Sequence, residues 1–154
     1  MHLRTKIKAG LVGVVVTGGG VAAALLGPAG PAVGQSSQPI QAQIQVAPPA
    51  TLAAKGAAVD VFVTTECSGP PGTTESYSVG FTERAASGLA TGAGGASQVA
   101  CTGTSQTTLV VVTVESGKPF KRGTAIMNAG ISACTSDFNT CVGQEVGPTT
   151  FPIK

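Results

Sequence analysis

Apolar and polar residues alternate with a period of two in run after run of this sequence, and that pattern restricts the fold more than any other feature. Ile40, Ala42, Ile44 and Val46 alternate with Gln41, Gln43 and Gln45, and Pro48-Pro49 is expected to end that strand. Val59, Val61, Val63, Thr65 and Cys67 share one face of a second strand, whose other face carries Asp60, Phe62, Thr64 and Glu66. Tyr77, Val79 and Phe81 line a third strand, after the turn-forming run from Ser68 to Thr74. Ala125, Met127, Ala129 and Ile131 line another. A helix would repeat its apolar residues every three to four positions, and no segment does so convincingly.

Between these runs the pattern is less regular. Gly88 to Gly95 is rich in glycine and reads as a loose edge strand or loop. Thr107 to Val114 is the strongest β segment, with Val110, Val112 and Val114 on one face and Leu109, Val111 and Thr113 on the other. Apolar residues on both faces predict a central strand covered on both sides. Ser116 to Gly123 reads as a crossing loop whose Phe120 closes one end of the core, and a last strand near Thr149 to Ile153 carries Pro152, which suits an edge. About seven short strands follow, and the expected class is all-β: an immunoglobulin-like two-sheet antiparallel β-sandwich over residues 40–154.

The N-terminal region stands apart. Arg4, Lys6 and Lys8 precede the uncharged run Ala9 to Leu26, and Ala32-Val33-Gly34 supplies small residues where a signal peptidase cuts. Residues 1–34 therefore read as a secretory signal peptide, followed by a short linker over 35–39. The triplet Gly18 to Gly20 weakens the alternative of a retained spanning helix. The expected location is secreted and extracellular, the cell wall included.

Removing the signal changes the charge. The remaining chain has six Lys and Arg against seven Asp and Glu, for a net charge of about −1, and it loses His2, the single histidine. A near-neutral chain has no basic stripe with which to displace counterions from phosphate, so no nucleic-acid partner is expected. The one basic cluster, Lys118, Lys121 and Arg122, reads as a solvated turn. Without imidazole, Ser/His/Asp and Cys/His catalytic systems cannot be assembled. No cofactor and no metal are expected. Four cysteines in an exported chain read as two disulfides, with three possible pairings. The expected pairing joins Cys67 to Cys101, 34 positions apart, and Cys134 to Cys141, seven apart. The second bridge staples one hairpin around Thr135 to Thr140. In the chain-entropy description the bridges contribute about 3–4 and about 2.5 kcal/mol.

The run Ala50 to Val61, the Cys67 that ends its strand, and Pro119-Phe120-Lys121-Arg122-Gly123-Thr124-Ala125 resemble small exported actinobacterial proteins of unassigned function with an immunoglobulin-like sandwich. A second, weaker similarity is to the neocarzinostatin-type apoproteins, secreted seven-stranded sandwiches that carry an enediyne chromophore in a cleft. It rests on Gly123-Thr124-Ala125 followed by Cys134, a short polar loop, Cys141 and Val142-Gly143. Those proteins close their first disulfide over a short hairpin, whereas Cys67 and Cys101 are far apart. Only the Cys134–Cys141 hairpin is carried over.

Three function classes follow. The first is a non-enzymatic extracellular domain, structural or binding, that acts on an unidentified ligand or cell-surface component, as a monomer and off the membrane once the signal is cut. Its candidate binding loop is Asp137, Phe138 and Asn139, at the tip of the stapled hairpin, although the commoner expectation for Phe138 is that it folds back onto the sheet. The second is a small-molecule carrier of the chromophore-binding kind, which needs a cleft walled by one sheet and the Cys134–Cys141 loop. The third is a protease-inhibitor-like domain that presents the same loop.

Overall fold

The computed structural model describes residues 38–85 and 88–154. The signal segment over 1–34 and most of the linker over 35–39 lie outside the described residues. Seven strands account for most of the remainder: β1 (Gln41–Ala53), β2 (Ala58–Ser68), β3 (Thr74–Ala85), β4 (Gly88–Ala100), β5 (Ser105–Gly117), β6 (Gly123–Cys134) and β7 (Cys141–Ile153), with one short 3-10 turn at Ala54–Gly56. The all-β class agrees with the alternation. Their order is β1-β2-β5-β4-β3-β6-β7, closed into a barrel in which every pairing is antiparallel except β1 with β7.

Closure is the main departure from the two separate sheets expected. Long ladders join β1 to β2 to β5, and β4 to β3 to β6 to β7, but the two seams between those groups are short. One is the pairing of Ala90 to Ala93 with Thr113 to Gly117. The other is the single parallel pair Ala50 and Ile153, flanked by hydrogen bonds from Leu52 N–H to the Lys154 carbonyl (2.8 Å) and from Lys154 N–H to the Ala50 carbonyl (2.9 Å).

Both seams run through segments that the sequence pattern marked as breaks. The glycine-rich stretch expected to be a loose edge is the full-length strand β4, paired with β3 over its whole length and with β5 at one end. Glycine permits this because the strands press together there. A Cβ at Gly92 would strike the Thr113 carbonyl oxygen, and one at Gly94 the Val111 carbonyl oxygen. Likewise Pro48-Pro49 does not end β1. The prolines sit in a register shift between Ala47 and Thr51, where missing N–H groups cost no ladder bond, and the strand resumes to bury Ala50 and reach β7.

The interior is built by the residues the alternation put there. Val59, Val61 and Val63 of β2 pack with Tyr77, Val79 and Phe81 of β3, and with Ala125, Met127, Ala129 and Ile131 of β6. Phe81 meets Phe151 edge to face with ring centroids 5.4 Å apart, a geometry worth about 0.5–1.5 kcal/mol beyond burial. Phe120, 2% exposed, closes one end as expected, its N–H bonded to the Gly56 carbonyl (2.8 Å). On β5, Val110 and Val112 are buried, but Leu109 and Val111 are 49% and 51% exposed. That corrects the expectation of cover on both faces: among the described residues nothing packs on the outside of β5. Leu109 instead pairs across the strands with Phe62, which faces outward as expected.

The disulfides join Cys67 to Cys101, with Cα atoms 4.9 Å apart, and Cys134 to Cys141, with Cα atoms 4.2 Å apart. Two carboxylates are buried: Glu75 and Glu83, near opposite ends of β3. Glu83 Oε2 accepts the Lys121 N–H (2.7 Å), which ties the loop carrying Phe120.

Replacing Gly92 with Val should force the β4–β5 seam apart and cost about 1–3 kcal/mol of stability in denaturant titration. Gly130→Ala, where an added Cβ meets nothing closer than 3.8 Å, should change stability by less than about 0.5 kcal/mol.

Candidate binding loop and adjoining groove

The β6–β7 connection is short, polar and heavily bonded to itself. Its stems pair through Cys134 opposite Cys141, and Thr135 N–H donates to the Thr140 carbonyl (3.0 Å). Within the loop, Asp137 is the hub. One carboxylate oxygen accepts the Thr135 hydroxyl and the Asn139 N–H (3.2 Å), and the other accepts the Asn139 side-chain amide (2.7 Å). An aspartate that bonds the backbone two residues on is a standard way to fix a tight turn. The Thr135 hydroxyl, and then Asn139, hold the Asp137 carboxyl below its ordinary value of 3.8, because each bond favours the charged form.

This bonding places Phe138. Its N–H donates to the Thr135 carbonyl (2.9 Å), its backbone sits in the left-handed region at φ 56°, and its ring is 71% exposed. Left-handed backbone costs of order 1 kcal/mol or more for a residue with a Cβ. The flanking Asp137 bonds and the disulfide keep it there. The ring does not fold back onto the sheet. The sequence-derived loop residues are therefore brought together, with Asp137 and Asn139 as mutual partners and Phe138 as the projecting group.

Beside the loop stems, on the outer face of β3, β4, β6 and β7, lies a groove of about 700 Å³. Ser76 and Ser78 of β3, Ser97 of β4, Ser132 of β6 and Gln144 and Glu145 of β7 supply its polar lining. The hollow exists because the outward positions are small: Ser78 pairs with Gly95 on one side and Gly130 on the other. Gln144 is already engaged, since its Oε1 accepts the Ile44 N–H (2.9 Å) across the β1–β7 gap. The groove reaches Ser132 opposite Gly143, just short of the disulfide, and none of Thr135 to Thr140 lines it. A cleft walled by one sheet and the loop is thus replaced by a groove walled by the sheet alone.

Sequence reasoning did not single out the groove, although its serines lie on the polar phase of the alternation it used. It also left Glu75 and Glu83 unplaced. Both share the phase of Tyr77, Val79 and Phe81, which would have sent them inward. Lys118, Lys121 and Arg122 are all exposed, as expected of a solvated turn. Among the described residues, no helix is long and apolar enough to cross a membrane. Comparison with protein-family models, with curated proteins and with solved structures returns no match to this chain.

The lowered value at Asp137 sets the direction of its pH dependence. The loop's bonds are complete above 3.8 and fade as pH falls through the lower folded value. Hydrogen exchange at the Asn139 amide should accelerate in that acid range beyond the intrinsic pH trend. In Asp137→Asn that acid step should be absent, with Thr135 and Asn139 less protected throughout.

Proposed function

We propose that this chain is an exported, non-enzymatic binding domain with an immunoglobulin-like sandwich architecture, which engages an extracellular or cell-wall component through Asp137, Phe138 and Asn139. The observation that carries this reading is the exposure of Phe138 on a loop already fixed by a disulfide and by the hydrogen bonds of Asp137 and Thr135. An aromatic ring held ready in solvent binds without the entropic cost of ordering a loop, and such anchors dominate interface energetics. The sandwich reading is supported by the two long ladders, β1-β2-β5 and β4-β3-β6-β7, joined only by short seams. Two disulfides are compatible with an oxidising extracellular setting. The stapled loop also suits presentation to a protease, and a panel of extracellular proteases serves as a second target set.

The groove favours a second reading, a small-molecule carrier, because about 700 Å³ lies within the size range of ligand sites. Serine hydroxyls set into a largely apolar lining suit a molecule with both polar and apolar faces.

Labelled protein should sediment with isolated cell envelopes or bind a protease target, and Phe138→Ala should weaken that association by roughly 30-fold or more, the effect of an anchor worth about 2 kcal/mol. Association unchanged in Phe138→Ala rejects the loop as the binding site. Native mass spectrometry of protein recovered from culture medium tests the carrier reading: a co-purifying small molecule that is lost in Ser78→Trp supports it, and bare protein rejects it.

A further inference from the structure

Glu75 is 3% exposed, and its carboxylate is only half satisfied. Oε1 accepts the Thr65 hydroxyl (2.7 Å), while Oε2 is buried without a partner. An unpartnered buried oxygen of this kind costs about 1–3 kcal/mol, more when charged, and calls for an ion or a further donor. The carboxylate lies beside sulfur. One carboxylate oxygen of Glu75 and the sulfurs of Cys67 and Cys101 all fall within 4.8 Å of one another.

As a disulfide the two sulfurs are poor ligands, and the carboxylate has nothing there to bind. Once the bond is reduced, the same atoms become two thiols and a carboxylate converging from the end of β2, the start of β3 and the segment after β4. That donor set suits a borderline-soft divalent cation. Zn–S bonds near 2.3 Å and Zn–O bonds near 2.1 Å in tetrahedral geometry need donors about 3.6–3.8 Å apart, so the two sulfurs must part from bonding distance while staying inside the 4.8 Å that now encloses all three donor atoms. Cys101 is only half-buried, so reductant and ion can approach from its side.

We propose that reduction of Cys67–Cys101 creates a zinc site made of Cys67 Sγ, Cys101 Sγ and the Glu75 carboxylate, with water as fourth ligand, so that a metal bridge takes over the position of the covalent one. The balance is simple. A trialkylphosphine and one water convert the disulfide to two thiols and a phosphine oxide; Zn²⁺ then displaces both thiol protons into solvent. Among the described residues the hairpin disulfide has no such neighbour. Ser132 is the side chain within reach of Cys134, and the Asp137 carboxylate is occupied by Thr135 and Asn139.

The test uses the full chain carrying Cys134→Ser and Cys141→Ser, reduced with a phosphine and titrated with Co²⁺ and then Zn²⁺. One equivalent of Co²⁺ should bind with the charge-transfer absorption of two thiolates and be displaced by Zn²⁺. Zn²⁺ should raise the melting temperature of the reduced protein and leave that of the oxidised protein unchanged. Glu75→Gln should weaken binding by roughly tenfold or more, and Glu75→Asp by less. Circular dichroism checks that each variant keeps its sheet, and if Glu75→Gln does not, Glu75→Asp is compared with the parent alone. Equal affinity without the carboxylate, equal affinity in the urea-unfolded chain, or no stoichiometric binding on reduction each overturns the proposal.

Discussion

The architecture depends on backbones meeting where no side chain intervenes. At the β4–β5 seam Gly92 and Gly94 lie directly against carbonyl oxygens of β5, and that approach brings the four-stranded ladder against the three-stranded one. The opposite seam is closed by Ala50 opposite Ile153, with both chain segments bonded on either side. Neither contact is large. Together they fix how the two ladders face one another across the valine-rich interior. The buried Glu83 extends the arrangement by tying the loop that places Phe120 over the open end.

From this frame the functional surface follows by subtraction. Charge is sparse, the single histidine is His2, and both inward carboxylates of β3 are enclosed. What the frame offers outward is shape: a projecting ring on a pre-ordered loop, and a shallow hydroxyl-lined groove beneath its stems. The two features differ in scale, and both stand on paired strands: the loop on β6 and β7, the groove on β3, β4, β6 and β7.

Much of this was legible in the alternation. It gave the inward faces of β2, β3 and β6, the outward Phe62 and the buried Cys67, because a strand with one solvated face must repeat every two residues. The hairpin bridge and the plugging role of Phe120 were also readable. Three things were not. Glycine and proline look like breaks when read locally, yet here glycine serves close approach and the prolines occupy a register shift, and only the neighbouring strand reveals either role. Apolar residues on both faces of β5 suggested double cover, but Leu109 and Val111 find each other's neighbourhood and Phe62 rather than a second layer. Finally, Glu75 and Glu83 have the right phase for burial, but alternation was read only through the apolar residues and left them unplaced. Their partners, Thr65 and the Lys121 N–H, are distant enough in sequence that no spacing rule connects them.

The Cys67–Cys101 bridge spans all of β3 and β4, together with the turns on either side of them. A protease that nicks the chain anywhere inside this interval therefore releases no fragment. The two pieces stay covalently joined, and their ends remain clamped in neighbouring ladders. For a small barrel among hydrolytic enzymes, a single cut becomes a local wound and not dissociation, so its persistence is governed by how many bonds must be broken before any part can drift away.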